Sequence, residues 1–373
     1  MPISPDLIQA KQILSSRLLA ASFRGGVVFR GRALAVSAAM VSAGRNVHAV
    51  GIGSKVVTGK VTSEPCLRLY VVQKLAPSLL SPRDRLPETV DGIPTDVIEA
   101  PPAFASSRIP RKRSALPLAP RARSANVALA AGAPAVAPQC TDQRRARQRP
   151  LVAGISTAHH DVIAGTLGYF CRSTRQGDDP SQVCVLSNNH IFADLNRARV
   201  GDALYQPGPG DGGVAADRFA DFLRCVPLQL DGTSPNRIDA AIGKLLPDLN
   251  ANFEVCSIGR ILGTAHAVEN MAIRKHGRTT GYAEGTVSDE LIDALVGMDP
   301  NNPDAVGLFQ NQMRIVPTSP FPAIGLGGDS GSLVVKLSTA EAVGLYFANP
   351  YTGEYGYANH IADVIADLQI ELL

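Results

Sequence analysis

No stretch of the chain comes near the roughly 18 consecutive apolar residues of a membrane-spanning helix, so no membrane partner is expected. A basic, apolar, small-residue leader is missing too: Asp6 and Lys11 interrupt the first twenty residues, which speaks against export. The six cysteines never fall in CxxC spacing, and the expectation is ordinary buried thiols. Cys171 and Cys184 flank a Gly/Asp/Pro turn and could face each other across a hairpin. Disulfides belong to oxidising compartments, however, so free thiols are expected there as well. Together these absences point to the cytoplasm.

Acidic residues are nearly absent from one segment. Between Pro101 and Pro150, ten Arg and Lys accompany a single acid, Asp142. The formal net charge is only +3, so with +9 in this segment the remainder of the chain carries −6. The segment also holds eight prolines and one aromatic residue, Phe104. Such a composition cannot bury enough surface to offset its chain entropy, so residues 101–150 read as a disordered basic Pro/Ala/Arg-rich linker. Its charge could attract nucleic acid, but no interleaved aromatics are present to stack bases. Nucleic acid is therefore not an expected partner.

What remains suits globular domains. The 373 residues are 45 % hydrophobic, which permits two or three cores. Ser4-Pro5-Asp6 reads as a helix start, with Leu7, Ala10, Leu14 and Leu18 on one face. Strand-like runs at 47–56, 66–73 and 95–100 follow, giving a small α/β N-terminal domain over 1–100. From Leu151 the texture changes to short apolar strands separated by Gly, Pro, Asn and Asp, the pattern of a β-barrel or sandwich over 151–373. "IADVIADLQ" closes the chain as a helix.

Within this β-rich region, "GLGGDSGSLVV" (325–335) sets Ser330 between glycines, after Asp329 and before a β-branched strand. A serine at such a turn can present its hydroxyl at a cleft beside free backbone amides, the equipment of a nucleophile and an oxyanion site. A nucleophile needs a base. "VLSNNHIFAD" offers His190 just after an apolar strand, and "NRIDAAIGKL" offers Asp239 at the head of another. The order is His, Asp, Ser, with separations of 49 and 91 residues. The template peptidase triad has roughly 45 and 93. His159 and His160 are adjacent, and neighbours on a strand point to opposite faces. No ligand-spaced cluster accompanies them, so no metal and no cofactor is expected. Asp211 reads as a turn residue, and Tyr346 and Phe347 as one core and one cleft residue.

These motifs resemble those of the trypsin/chymotrypsin-like serine peptidases. Two further runs, "KHGRTTGYAEGTV" (275–287) and "YQPGPGDGG" (205–213), are similar to a subgroup, the plant NARROW LEAF protease and its bacterial relatives. The resemblance covers residues 151–373, and 45–100 more loosely. It implies a mainly β fold, a two-barrel chymotrypsin-like peptidase domain preceded by the small α/β domain. It implies a serine endopeptidase acting on protein or peptide substrates, with Ser330 as nucleophile, His190 as base and Asp239 orienting it. Gly328 and Ser330 would supply the oxyanion amides, and Phe347, Ala348 and Asn349 the strand that pairs with substrate. Ile324, six before the nucleophile, would stand at the base of the specificity pocket. No acid lies in 318–328, so an apolar or small residue before the cut is expected. In secreted relatives a new N-terminus, cut about forty residues before the histidine, pairs with the aspartate preceding the nucleophile. Here Pro150 follows Arg149, and the expectation is an uncut chain that is active. The rival reading is a catalytically idle scaffold of the same fold. Homo-oligomerisation is left open.

Overall fold

The computed structural model describes residues 3–24, 46–57, 60–82, 84–105 and 143–373. It is mainly β. Six strands form a closed antiparallel barrel: Asn302–Pro317, Gly356–His360, Ala342–Ala348, Leu333–Lys336, Ala272–Gly277 and Gly281–Asp299, which pairs back onto Asn302–Pro317. Val334, Ile315, Met313 and Val343 fill its interior, as alternation along half-buried strands requires.

A second sheet of eight strands runs from Ile370–Leu372 through Tyr169–Ser173, Val183–Ser187 and Ala241–Leu245 to Ser156–His159 and Gly165–Thr166. The Gly168 amide then donates to the Leu186 carbonyl at 2.8 Å, which returns the end of this sheet to Val183–Ser187. Val185, Phe170, Ile242 and Phe219 lie in its core. The final helix, Ile361–Leu368, lies between the two sheets in sequence and buries Ile361, Val364 and Leu368.

Strands among the described residues before Ala100 join the barrel sheet. Val47–Val57 pairs with residues 291–294 of the long strand Gly281–Asp299, and Lys60–Val71 and Ile93–Glu99 extend the same sheet. Helix Pro5–Arg24 lays Ala10, Leu14, Leu18 and Leu19 on Val50, Leu69, Leu295 and Val306. Its Lys11 is fully buried and donates to Asp293 at 2.5 Å and to Asn311 at 2.7 Å. Both ends of the expected linker are built into the fold. Ala103–Phe104 is a strand beside Val296 and Gly297, and residues 143–150 dock on the site described below. The expected disorder between them falls outside the described residues.

Cys171 and Cys184 face each other in register and are free thiols, whose burial raises both above the usual thiol range. The all-thiol expectation fails at Cys256, which is disulfide-bonded.

Candidate active site

The strand Val183–Ser187 ends at Asn188 and turns into a short buried helix, Asn189–Phe192, that carries His190. Its Nδ1 bonds the Asp239 carboxylate, and its backbone amide donates to the other carboxylate oxygen at 3.2 Å. Asp239 is fully buried and its main chain is fixed from both sides. The Asn188 side chain donates to its carbonyl at 2.7 Å, and its own amide donates to Asn359 Oδ1 at 3.2 Å. With Nδ1 committed to a carboxylate, proton exchange on this imidazole belongs to Nε2.

Ser330 sits on the barrel loop between two glycines in the left-handed region, Gly328 at φ +100° and Gly331 at φ +95°. A side chain at 331 would collide with the Thr166 carbonyl at 2.2 Å and Ser187 Oγ at 2.3 Å. That contact brings the serine loop against the strand leading to His190. Thr166 is the hinge pin between the sheets: its amide donates to the Ser330 carbonyl at 2.8 Å and its hydroxyl to the Gly328 carbonyl at 2.9 Å. The Ser330 hydroxyl donates to the Phe347 carbonyl at 3.1 Å. Among the described residues, neither the Gly328 nor the Ser330 amide donates a hydrogen bond. His190 and Ser330 are only 2 % and 4 % exposed, so the site is almost closed.

Asp329 faces inward. Its carboxylate accepts from the amides of Leu326 and Thr279 at 2.8 Å and of Thr280 at 3.1 Å, with Lys275 Nζ at 3.6 Å. Burial works against the charge, but the Lys275 ammonium and these amides outweigh it and hold the carboxyl below the usual range. The turn that supplies the Thr279 and Thr280 amides is itself clamped. Arg144 donates to the carbonyls of Arg278 and Thr279 at 3.0 Å each, and Arg278 grips Asp211 with two nitrogens, at 2.7 and 2.5 Å. Asp211, expected only to shape a turn, thus joins the runs 205–213 and 275–287.

The remaining site residues read from the sequence divide differently. Ile324 is fully buried in the barrel core with Tyr346 and Ala358. Phe347 and Ala348 are fully buried in a separate cluster with Phe309 and Tyr357. Tyr346 and Phe347 do face opposite sides, but neither is exposed, because the N-terminal strands and residues 100–105 cover the second side. The main chain of Asn349 exchanges hydrogen bonds with Phe104. His159 and His160 lie with ring centroids 4.0 Å apart and planes tilted by 34° instead of diverging, since the strand ends at His159. Both His159 nitrogens are already engaged, by Asp202 at 3.3 Å and the Asp161 amide at 3.2 Å. Thr166, Lys275 and Arg144 escaped the sequence reading. Their roles depend on contacts across more than fifty residues, which no local pattern marks.

Neither a family model nor a curated protein matches the chain. Solved structures similar to it are chymotrypsin-like serine proteases. Thermobifida fusca protease A is 15 % identical at TM-score 0.42, Nocardiopsis protease 16 % at 0.42, and Cellulomonas bogoriensis chymotrypsin 16 % at 0.40. Each likeness spans 60 % of this chain and 98 % of the other.

Proposed function

We propose that the chain is a serine endopeptidase hydrolysing protein or peptide substrates through His190, Asp239 and Ser330. The observations that support the reading are the buried His190–Asp239 pair and a serine loop that Thr166 holds against the strand leading to His190. In this mechanism Ser330 Oγ attacks the carbonyl carbon while His190 Nε2 takes its proton and then returns it to the leaving amine. Asp239 fixes the imidazole tautomer and stabilises the imidazolium. The Gly328 and Ser330 amides would hold the oxyanion, an interaction typically contributing a few kcal/mol to barrier lowering. Water repeats the sequence to release the acyl group. Kinship with the plant NARROW LEAF protease and its bacterial relatives is part of the proposal, supported by the two similar runs that the Arg278–Asp211 pair joins.

One observation favours the idle scaffold: the Ser330 hydroxyl is bonded to the Phe347 carbonyl. Hydrolysis of a peptide library by the wild-type chain and by Ser330→Ala separates the two. Turnover lost in the variant supports the peptidase, and no turnover by either, with no hydrolysis of a single-residue thioester, supports the scaffold. A cytoplasmic address remains a proposal resting on four free thiols, and the Cys256 disulfide weighs against it.

A further inference from the structure

Extended peptides bind beside a nucleophile by adding a strand to an exposed edge, with both backbone groups of alternate residues engaged. The edge next to Ser330 is the end of Ala342–Ala348 and its continuation. Phe347, whose carbonyl meets the Ser330 hydroxyl, stands two residues before Asn349. A substrate strand would need the Asn349 amide and carbonyl. Both are taken. The Phe104 amide donates to the Asn349 carbonyl at 3.0 Å, and the Asn349 amide donates to the Phe104 carbonyl at 3.2 Å, a complete antiparallel pair.

We propose that the chain occupies its own substrate groove, with Phe104 holding the place on Asn349 that an extended peptide must take, so that the intact protein is self-inhibited toward peptides. The inference rests on the peptidase reading. Polarity supports it: because the pair is antiparallel, the strap runs past Asn349 toward the Phe347 side, where Ser330 lies, as the acyl half of a substrate would. Its fit is side-chain specific as well. The Phe104 ring stacks on Tyr351 with centroids 4.6 Å apart, and Tyr355 Oη donates to the Pro101 carbonyl at 2.5 Å. On the other side, the Ala105 amide donates to the Gly297 carbonyl at 2.9 Å. The strap is therefore a fitted strand between two partners, and the near-closure of His190 and Ser330 agrees with an occupied cleft.

An occupant in cis lowers apparent affinity by the fraction of molecules left competent, without changing the chemical step. The test compares wild type, Phe104→Ala and Tyr351→Ala on two substrates: an extended fluorogenic tetrapeptide, and a single-residue thioester too short to reach Asn349. The expected result is a tetrapeptide KM at least tenfold lower in Phe104→Ala, with kcat within twofold and thioester hydrolysis unchanged. Tyr351→Ala, at a ring that is 55 % exposed, should shift KM the same way. It carries the test if Phe104→Ala loses its cooperative melt. Equal tetrapeptide KM values with normal thioester hydrolysis would overturn the strap while leaving the peptidase. Absence of thioester hydrolysis in all three proteins would overturn both.

Discussion

The Lys275 ammonium lies 3.6 Å from the Asp329 carboxylate, and both side chains are fully buried. The aspartate before the nucleophile is therefore already paired from within the chain, and Arg144 secures the turn that completes its cage. No new N-terminus is needed. The uncut chain is expected to be reactive, and a cut at Arg145 or Arg147 should lower reactivity, because it frees the segment that carries Arg144. Lys275→Met would leave a buried charge without its partner and should cost about 3 kcal/mol of stability. Denaturant melts and probe-labelling rates of cut, uncut and Lys275→Met proteins check this. Labelling that appears only after cutting would contradict it.

Stability should fall as pH drops from about 6.5 toward 4. Burial depresses His48 and His276 to about 4 from an ordinary value of 6.5, although each donates to a carbonyl, of Ala100 and Gly154 respectively. Both are neutral in the fold, while the unfolded chain gains protons below 6.5. Each therefore withdraws about 3 kcal/mol across that interval. Asp329 behaves as a depressed carboxylate: its contribution is present above the ordinary carboxyl value and is lost only at lower pH still. Denaturation midpoints measured from pH 7 to 4 should show the fall, and His48→Gln or His276→Gln should flatten it. A midpoint independent of pH in wild type would contradict the assignment.

Tyr346→Phe should stabilise the protein by about 1 kcal/mol, since the Tyr346 hydroxyl is buried with no hydrogen-bond partner among the described residues. The phenol end is pinched between two glycines: a Cβ would stand 2.4 Å from Oη at Gly325 and 2.3 Å at Gly356. Gly356→Ala should accordingly destabilise, and Gly356→Ala combined with Tyr346→Phe should recover only part of the loss. Thermal melts of the four proteins decide it.

Specificity should favour an apolar or small residue before the cut. No acid lies in 318–328, and Ile324 and Tyr346 are both packed into the barrel core. A cleavage profile dominated by Arg and Lys would contradict this.

The sequence and the structure agree best where the chemistry is local. The His190 run follows the apolar strand Val183–Ser187 and the Asp239 run precedes the apolar strand Ala241–Leu245, and His190 Nδ1 bonds the Asp239 carboxylate where they meet. The joining of the strands before Ala100 to the barrel was hidden for a physical reason. The long strands Gly281–Asp299 and Asn302–Pro317 carry Asp289 and Asp293 at buried positions and Arg314 at a half-buried one, paired with Tyr70 across the sheet, with Lys11 of the first helix and with ring faces. Such charges break the apolar alternation that marks a strand, so the full length of neither strand shows in the sequence. The linker's composition likewise concealed the Phe104 strand, because its alanines are small enough to bury without an apolar run. The Cys256 disulfide had no signature in spacing at all.

On the proposed mechanism, Ser330 is a nucleophile activated by the His190–Asp239 pair. The most direct measurement is intact-mass analysis of the uncut protein after exposure to a serine-directed fluorophosphonate, with peptide mapping of the adduct. One adduct is expected, mapped to Ser330, absent in Ser330→Ala and slowed by several orders of magnitude in Asp239→Asn, where the imidazole takes the wrong tautomer. No adduct, or one that persists in Ser330→Ala, would contradict it.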